Sequence, residues 1–292
     1  MELFNTNEAS SRIYRNVRDS DTPIMIRARK LCLEMWKLYE PFADKHFVTE
    51  IQRDFSARFW EMDLTCTLLG LGKKIECLKP GPDIKADQSV WIEAISPTQG
   101  NDGKPDSVPE LITGIAASIN SDLIILRYAS SIKEKHEKYI NYLEKGIINR
   151  KEPYIIALNS SQIPGANLEL PMPRIVSALL SIGSQYVEFD RESGEIVGGG
   201  YHYKAAVVKS NGVNVPIDMF HNPEYSGISA VLYDSTDCCN RADKNGSGYI
   251  LIHNPLASNP IKSGFLGVGK EALVKIEDED SYTISWINYE AT

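Results

Sequence analysis

Apolar positions recur every three to four residues through "PIMIRARKLCLEMWKLYEPFADKH", with Ile26, Leu31, Leu33, Met35, Trp36 and Tyr39 on the apolar side. That period predicts an amphipathic helix from Pro23 to about His46, broken or kinked at Pro41. The polar segment before it, residues 1 to about 22, reads as a poorly ordered or loosely docked arm. A second helix is predicted over "TEIQRDFSARFWEMDLTCTLLGLG", capped by Thr49 and stopped at Gly70 or Gly72. Phe55, Phe59, Met62, Cys66 and Leu69 give it one apolar stripe.

The period then shortens to two. "KKIECLK", "DIKA" and "SVWIEAIS" predict three short strands, the last two joined by a hairpin at Asp87-Gln88. A loop rich in Gly, Pro and Asp follows at 97–109. "SSIKEKHEKYINYLEKG" restores the helical period, with Ser130 or Ser131 as cap and Gly146 as stop, and "PYIIALNSS" is a continuous apolar run of the kind buried in the middle of a sheet. Helix, three strands, helix, strand is thus the order between about 49 and 160.

Further on, "PRIVSALLSIG" predicts a helix. Turn signals at Ser193-Gly194 and Asn211-Gly212 predict hairpins, and "ISAVLYDS", "GYILIHNP" and "KIEDEDSYTISWINYE" predict strands, while "GVGKEA" reads as a turn. The expected architecture is α/β: an N-terminal arm and helix over 1–48, a mixed core over 49–160, and a β-rich extension over 161–292 packed on that core as one composite domain.

Composition changes this picture little. Hydrophobic residues at 42% and charged ones at 24% provide for a sizeable core. A net charge of −8 offers a polyanion no global attraction, so a nucleic-acid partner needs a local basic groove. Five cysteines without paired spacing fit a reducing compartment, and adjacent Cys238-Cys239 is a poor chelate. No signal-peptide core and no membrane-spanning run stands in the sequence, which makes a cytoplasmic protein the expectation.

Candidate chemistry centres on "GPDIKADQSVWIEAI". Asp83 follows a Gly-Pro turn and Glu93 lies on the strand returning from the hairpin, so both carboxylates reach one end of a sheet. Glu93 shares its strand face with Trp91 and Ile95, and a carboxylate between large apolar groups needs a partner. Oxygen ligands so placed suit Mg²⁺ or Mn²⁺.

"RFWEMDLTCTLLGLGKKIECLKPGPDIKADQSVWIEAI" resembles the core of the PD-(D/E)xK nuclease superfamily, whose fold is that of restriction endonucleases. In that family a helix bearing an acid precedes a hairpin bearing Pro-Asp and then Glu-x-Lys. Pro82-Asp83 matches the first half of the motif, Glu93 the glutamate, and Glu61 in "FWEMDL" the helical acid. The resemblance covers about residues 50–160, and "EYSGISAVLYDS" and "ILIHNPLASNP" resemble tails of bacterial members of the class. It implies a restriction-endonuclease-like core, metal-dependent hydrolysis of DNA and a homodimer that cuts both strands. Metal ligation is implied for Glu61, Asp83 and Glu93, with the Ala94 carbonyl as a further oxygen. His136 and Tyr139 are nearest to the family's supporting helical residues.

One departure is decisive for mechanism: the motif's lysine is Ile95 here. Lys135 is the preferred replacement, since Arg127, Ser131, Lys135 and Tyr139 recur every four residues and share a helix face that can look back at the hairpin. Lys85, two residues after Asp83, is the second choice, and Lys133 and Lys138 are expected to point elsewhere. Arg127, directly after the apolar run "LIIL", is the candidate for contacting phosphate or Glu93. Without a replacement cation the chain becomes a catalytically inactive nuclease fold that binds or regulates.

Overall fold

The computed structural model describes residues 2–278 apart from 102, 117 and 243, together with 281–289. Twelve strands and six α-helices are formed by the described residues. Eight of the strands make one mixed sheet in the order β1-β2-β3-β4-β9-β10-β11-β12. They are β1 (Ile75–Glu76), β2 (Ile84–Ala86), β3 (Val90–Ile95), β4 (Tyr154–Asn159), β9 (Ala230–Asp234), β10 (Ile250–His253), β11 (Lys270–Ile276) and β12 (Tyr282–Asn288). Strands β3, β4 and β9 run parallel, and β1 to β3 form an antiparallel meander. The C-terminal strands therefore continue the sheet of the first half. Two small hairpins stand apart from it, β5 (Ile182–Phe189) with β6 (Ile196–Tyr203) and β7 (Ala206–Val208) with β8 (Asn214–Pro216).

Alternation along the buried strands sends side chains to two helical layers. Tyr154, Ile156 and Leu158 of β4 pack with α5 (Ser121–Glu144) and α6 (Arg174–Leu180), whereas Ile155 and Ala157 pack with α4 (Phe55–Gly70). Trp60 of α4 donates to the Ala157 carbonyl at 3.0 Å and fixes that helix on the sheet. A third cluster lies outside α4, where α1 (Arg12–Asp19), α2 (Pro23–Tyr39) and α3 (Phe47–Ile51) cover it. No helix among the described residues is long and apolar enough to cross a membrane.

Several expectations are corrected here. The N-terminal arm is docked, because α1 buries Tyr14 and Val17 completely and Tyr14 donates to the Leu3 carbonyl at 2.9 Å. The second predicted helix is split into α3 and α4, and Asp54, accepting from the Ala57 amide, is the cap in place of Thr49. Its apolar stripe faces the outer helices, while Trp60, Leu64 and Leu68 face the sheet, so α4 is buried nearly all round. Helix α5 begins almost three turns earlier than the serines suggest, capped by Asn120. The extra residues include Ile124, Ile125, Leu126 and Tyr128, whose burial against the sheet exceeds what any local cap contributes. Lys270 and the residues after it form β11, not a turn.

Candidate active site

The hairpin sets the geometry. Asp87 and Gln88 both take positive φ, 50° and 62°, and Ser89 donates to the Ala86 carbonyl at 3.1 Å. A two-residue turn of this hand matches the strand twist and fixes the register. Ile84 opposes Ile92 and Ala86 opposes Val90. Continued by one residue, that register sets Asp83 opposite Glu93, where side chains stand about 5 Å apart. Asp83 Oδ2 accepts from the Ala94 amide at 2.9 Å, which locks its carboxylate against β3.

Two like charges placed opposite each other destabilise a sheet unless something offsets them. Helix α5 supplies that offset. Lys135 and Lys138 both donate to Glu93 Oε1, at 2.9 and 2.5 Å. Glu93 itself is fully buried, and among the described residues nothing donates to its Oε2. Burial, then the Asp83 charge, raise the Glu93 pKa, with the two ammoniums pulling the other way. Burial also works against the Lys138 charge, but Glu93 outweighs it and leaves the ammonium more firmly protonated than usual.

Glu61 reaches the same cleft from α4. Its Oε1 accepts from Tyr39 at 2.8 Å and its Oε2 from Arg58 at 2.6 Å, and Arg58 is held in turn by Glu50 at 2.5 Å. Burial and then Asp83 raise the Glu61 pKa, with Arg58 opposing. The Asp83 charge thus acts on both glutamates. Around them is a cleft of about 450 Å³ between the start of α4 and the middle of α5, lined also by Ala94, Ile95 and Ser96 of the β3 end. Six carboxylates and four cationic side chains line it, so the cleft is acidic in formal charge.

Of the sequence-predicted residues, the structure brings Glu61, Asp83, Glu93 and Lys135 to this cleft. It does not draw the three acids tightly together: among the described residues the compact ligand group, with all donor atoms within 4.8 Å of one another, is Asp237, Cys238 and Cys239. Glu61 is held aside by Tyr39 and Arg58. Lys85 is elsewhere, because its ammonium pairs with Glu152 at 2.8 Å and lies over the Trp91 ring. Arg127 is also away from the cleft lining, its Nε donating to the Thr98 carbonyl at 2.9 Å. His136 and Tyr139 are core residues, packed against Tyr225 and Tyr154 respectively. Lys138 was missed. Its spacing of three from Lys135 is the signal, since residues i and i+3 share a helix face as surely as i and i+4 do.

All the groups offered to a cation are oxygens, and one of them, Glu93 Oε2, is buried without a donor. That suits a hard divalent ion held by Asp83 and Glu93 with the Ala94 carbonyl, Glu61 standing behind as a charge already satisfied. No family model, curated protein or solved structure matches the chain.

Proposed function

We propose that the chain is a metal-dependent nuclease with a PD-(D/E)xK, restriction-endonuclease-like core, hydrolysing phosphodiester bonds in DNA with Mg²⁺ or Mn²⁺. The observation that carries this reading is Glu93: fully buried, with no donor to Oε2 among the described residues, opposite Asp83 and paired with two lysines from a different element. A purely structural ion pair has no use for an open oxygen and a second acid beside it.

Asp83 and Glu93 would hold the cation, which when bound would offset charge on a phosphoryl oxygen and acidify a water. The chain's own residues do the remaining work. The Ala94 amide fixes the Asp83 carboxylate. Lys135 and Lys138 take the part of the cation absent at Ile95: they balance the acids at rest and, within reach of Glu93, attract a phosphate and stabilise its developing charge. Arg58 and Tyr39 hold Glu61 facing the cleft without letting it collapse onto Asp83.

The acid surplus of the cleft and the commitment of both lysines to Glu93 favour a second reading, an inactive nuclease fold that binds or regulates. Incubation of the chain with plasmid and linear DNA, with and without Mg²⁺ or Mn²⁺, separates the two. Metal-dependent cleavage lost in Asp83→Asn supports the enzyme; metal binding without cleavage by the unmodified chain supports the module.

A further inference from the structure

The turn after β9 gathers ligands that the cleft does not use. Cys238 and Cys239 have their sulfurs 3.8 Å apart, and a carboxylate oxygen of Asp237 lies within 4.8 Å of both. We propose that this turn, closed by Cys32 of α2, binds a thiophilic divalent cation of the zinc class.

Adjacent cysteines are a poor chelate in sequence, because two neighbouring side chains usually diverge. Here the turn makes them converge. Asp237 Oδ1 accepts from the Cys239 amide at 2.7 Å and the Asn240 amide at 3.2 Å, which winds the chain into a tight turn and holds the carboxylate beside the thiols. Zinc–thiolate bonds of about 2.3 Å in a tetrahedron set the sulfurs about 3.8 Å apart. The Cys238–Cys239 separation already has that value.

Long-range packing supplies the rest. Cys32, fully buried in the same cluster with its thiol beside that of Cys238, stands outside the compact group of Asp237, Cys238 and Cys239 and would join it as a further sulfur ligand on binding. Arg27, one turn earlier on α2, donates to the Cys239 carbonyl at 2.9 Å. Three thiolates and the Asp237 carboxylate carry four negative charges, of which a divalent ion and Arg27 offset three. Binding releases the thiol protons to solvent. Soft sulfur ligands select zinc over the hard ions suited to the cleft. The ion would fasten α2 to the segment joining β9 and β10, which also docks on α4 through Arg241 and Asp63.

The test uses the full reduced chain. Cd²⁺ reports thiolate ligation by charge-transfer absorption in the ultraviolet, and Zn²⁺ affinity is read by competition with a chromophoric indicator. One equivalent of each is expected to bind. Cys239→Ser, at the partly exposed edge of the buried cluster, should weaken the Cd²⁺ band and lower Zn²⁺ affinity at least tenfold. Cys238→Ser should do the same, while Cys77→Ser and Asp83→Asn should keep both signals. The proposal is overturned if Cys239→Ser binds like the unmodified chain, if Asp83→Asn abolishes the band, or if the unmodified chain shows no band although its thiols react freely. A native mass two hydrogens light, with the Cys32 and Cys238 thiols unreactive, would equally overturn it in favour of a disulfide.

Discussion

Helix α4 sends one carboxylate to each of two very different environments. Glu61 faces the cleft, where it meets Asp83 and Glu93, while Asp63, two residues on, faces the segment joining β9 and β10. There Arg241 Nε meets Asp63 Oδ1 at 2.5 Å and Tyr249 donates to Oδ2 at 3.2 Å. Both oxygens of Asp63 are used, and its partners are themselves held: Arg241 also donates to Thr67 and Asn245. Glu93 is equally buried, yet both its cations crowd one oxygen and the other has none. Burial of charge is therefore no mark of function by itself. What separates the regions is closure: the Asp63 node gives each carboxylate oxygen a donor, whereas the cleft leaves an acid open beside a second acid.

The largest expected effect is on stability. Arg241→Leu strands the buried Asp63 carboxylate, and urea unfolding at pH 8 should show a loss of about 3–5 kcal/mol. Burial, against the pull of Arg241, raises the Asp63 pKa to about 6. A carboxyl raised in the folded state contributes stability in full below its unfolded pKa, near 4, and that contribution is lost as pH rises through about 6. The Arg241→Leu penalty should accordingly shrink at pH 5, where Asp63 is protonated. An equal penalty at both pH values would show that Asp63 is not the group left stranded.

In the cleft the ordering reverses, with activity changing more than stability. Asp83→Asn and Glu93→Gln should each lower metal-dependent DNA cleavage by about 10²–10³-fold or more while melting within a few degrees of the unmodified chain. Next come the lysines. Lys135→Met should cost more cleavage than Lys138→Met, since Lys135 is 13% exposed and Lys138 43%, and the better-shielded ammonium acts through less solvent. Single-turnover rates for the two variants decide this, and the opposite order would make Lys138 the principal cation. Smallest is the hairpin: Gln88→Gly relieves a left-handed non-glycine residue and should add about 0.5–1 kcal/mol by thermal unfolding, without altering cleavage. A change in cleavage would mean that the turn does more than set the register of Asp83 against Glu93.

Much of the core was legible in advance because its signals are local. The alternation in "VWIEAI", the turn at Asp87-Gln88 and the continuous "YIIALN" predicted β3, the hairpin and β4, and two acids in that frame pointed to one end of the sheet. The N-terminal arm was not legible, since the burial of Tyr14 and Val17 depends on a surface built from α2 and α4. Nor was the start of α5, where apolar residues that face a sheet read as well for a strand as for a helix. Lys85 illustrates the same limit. Strand alternation put it on the face of Asp83, two residues before, but Glu152, from the connection between α5 and β4, captured its ammonium.

Local sequence set the periods and the turn at Asp87-Gln88, and hence that Asp83 and Glu93 face each other across a two-residue hairpin. Packing settled that Lys138 joins Lys135 at Glu93, that Glu61 is tied to Tyr39 and Arg58, and that Cys32 lies beside Cys238. The physical reason is range: backbone geometry fixes what happens within a few residues. Where a long charged side chain or a buried thiol finds its partner depends on which distant elements pack beside it.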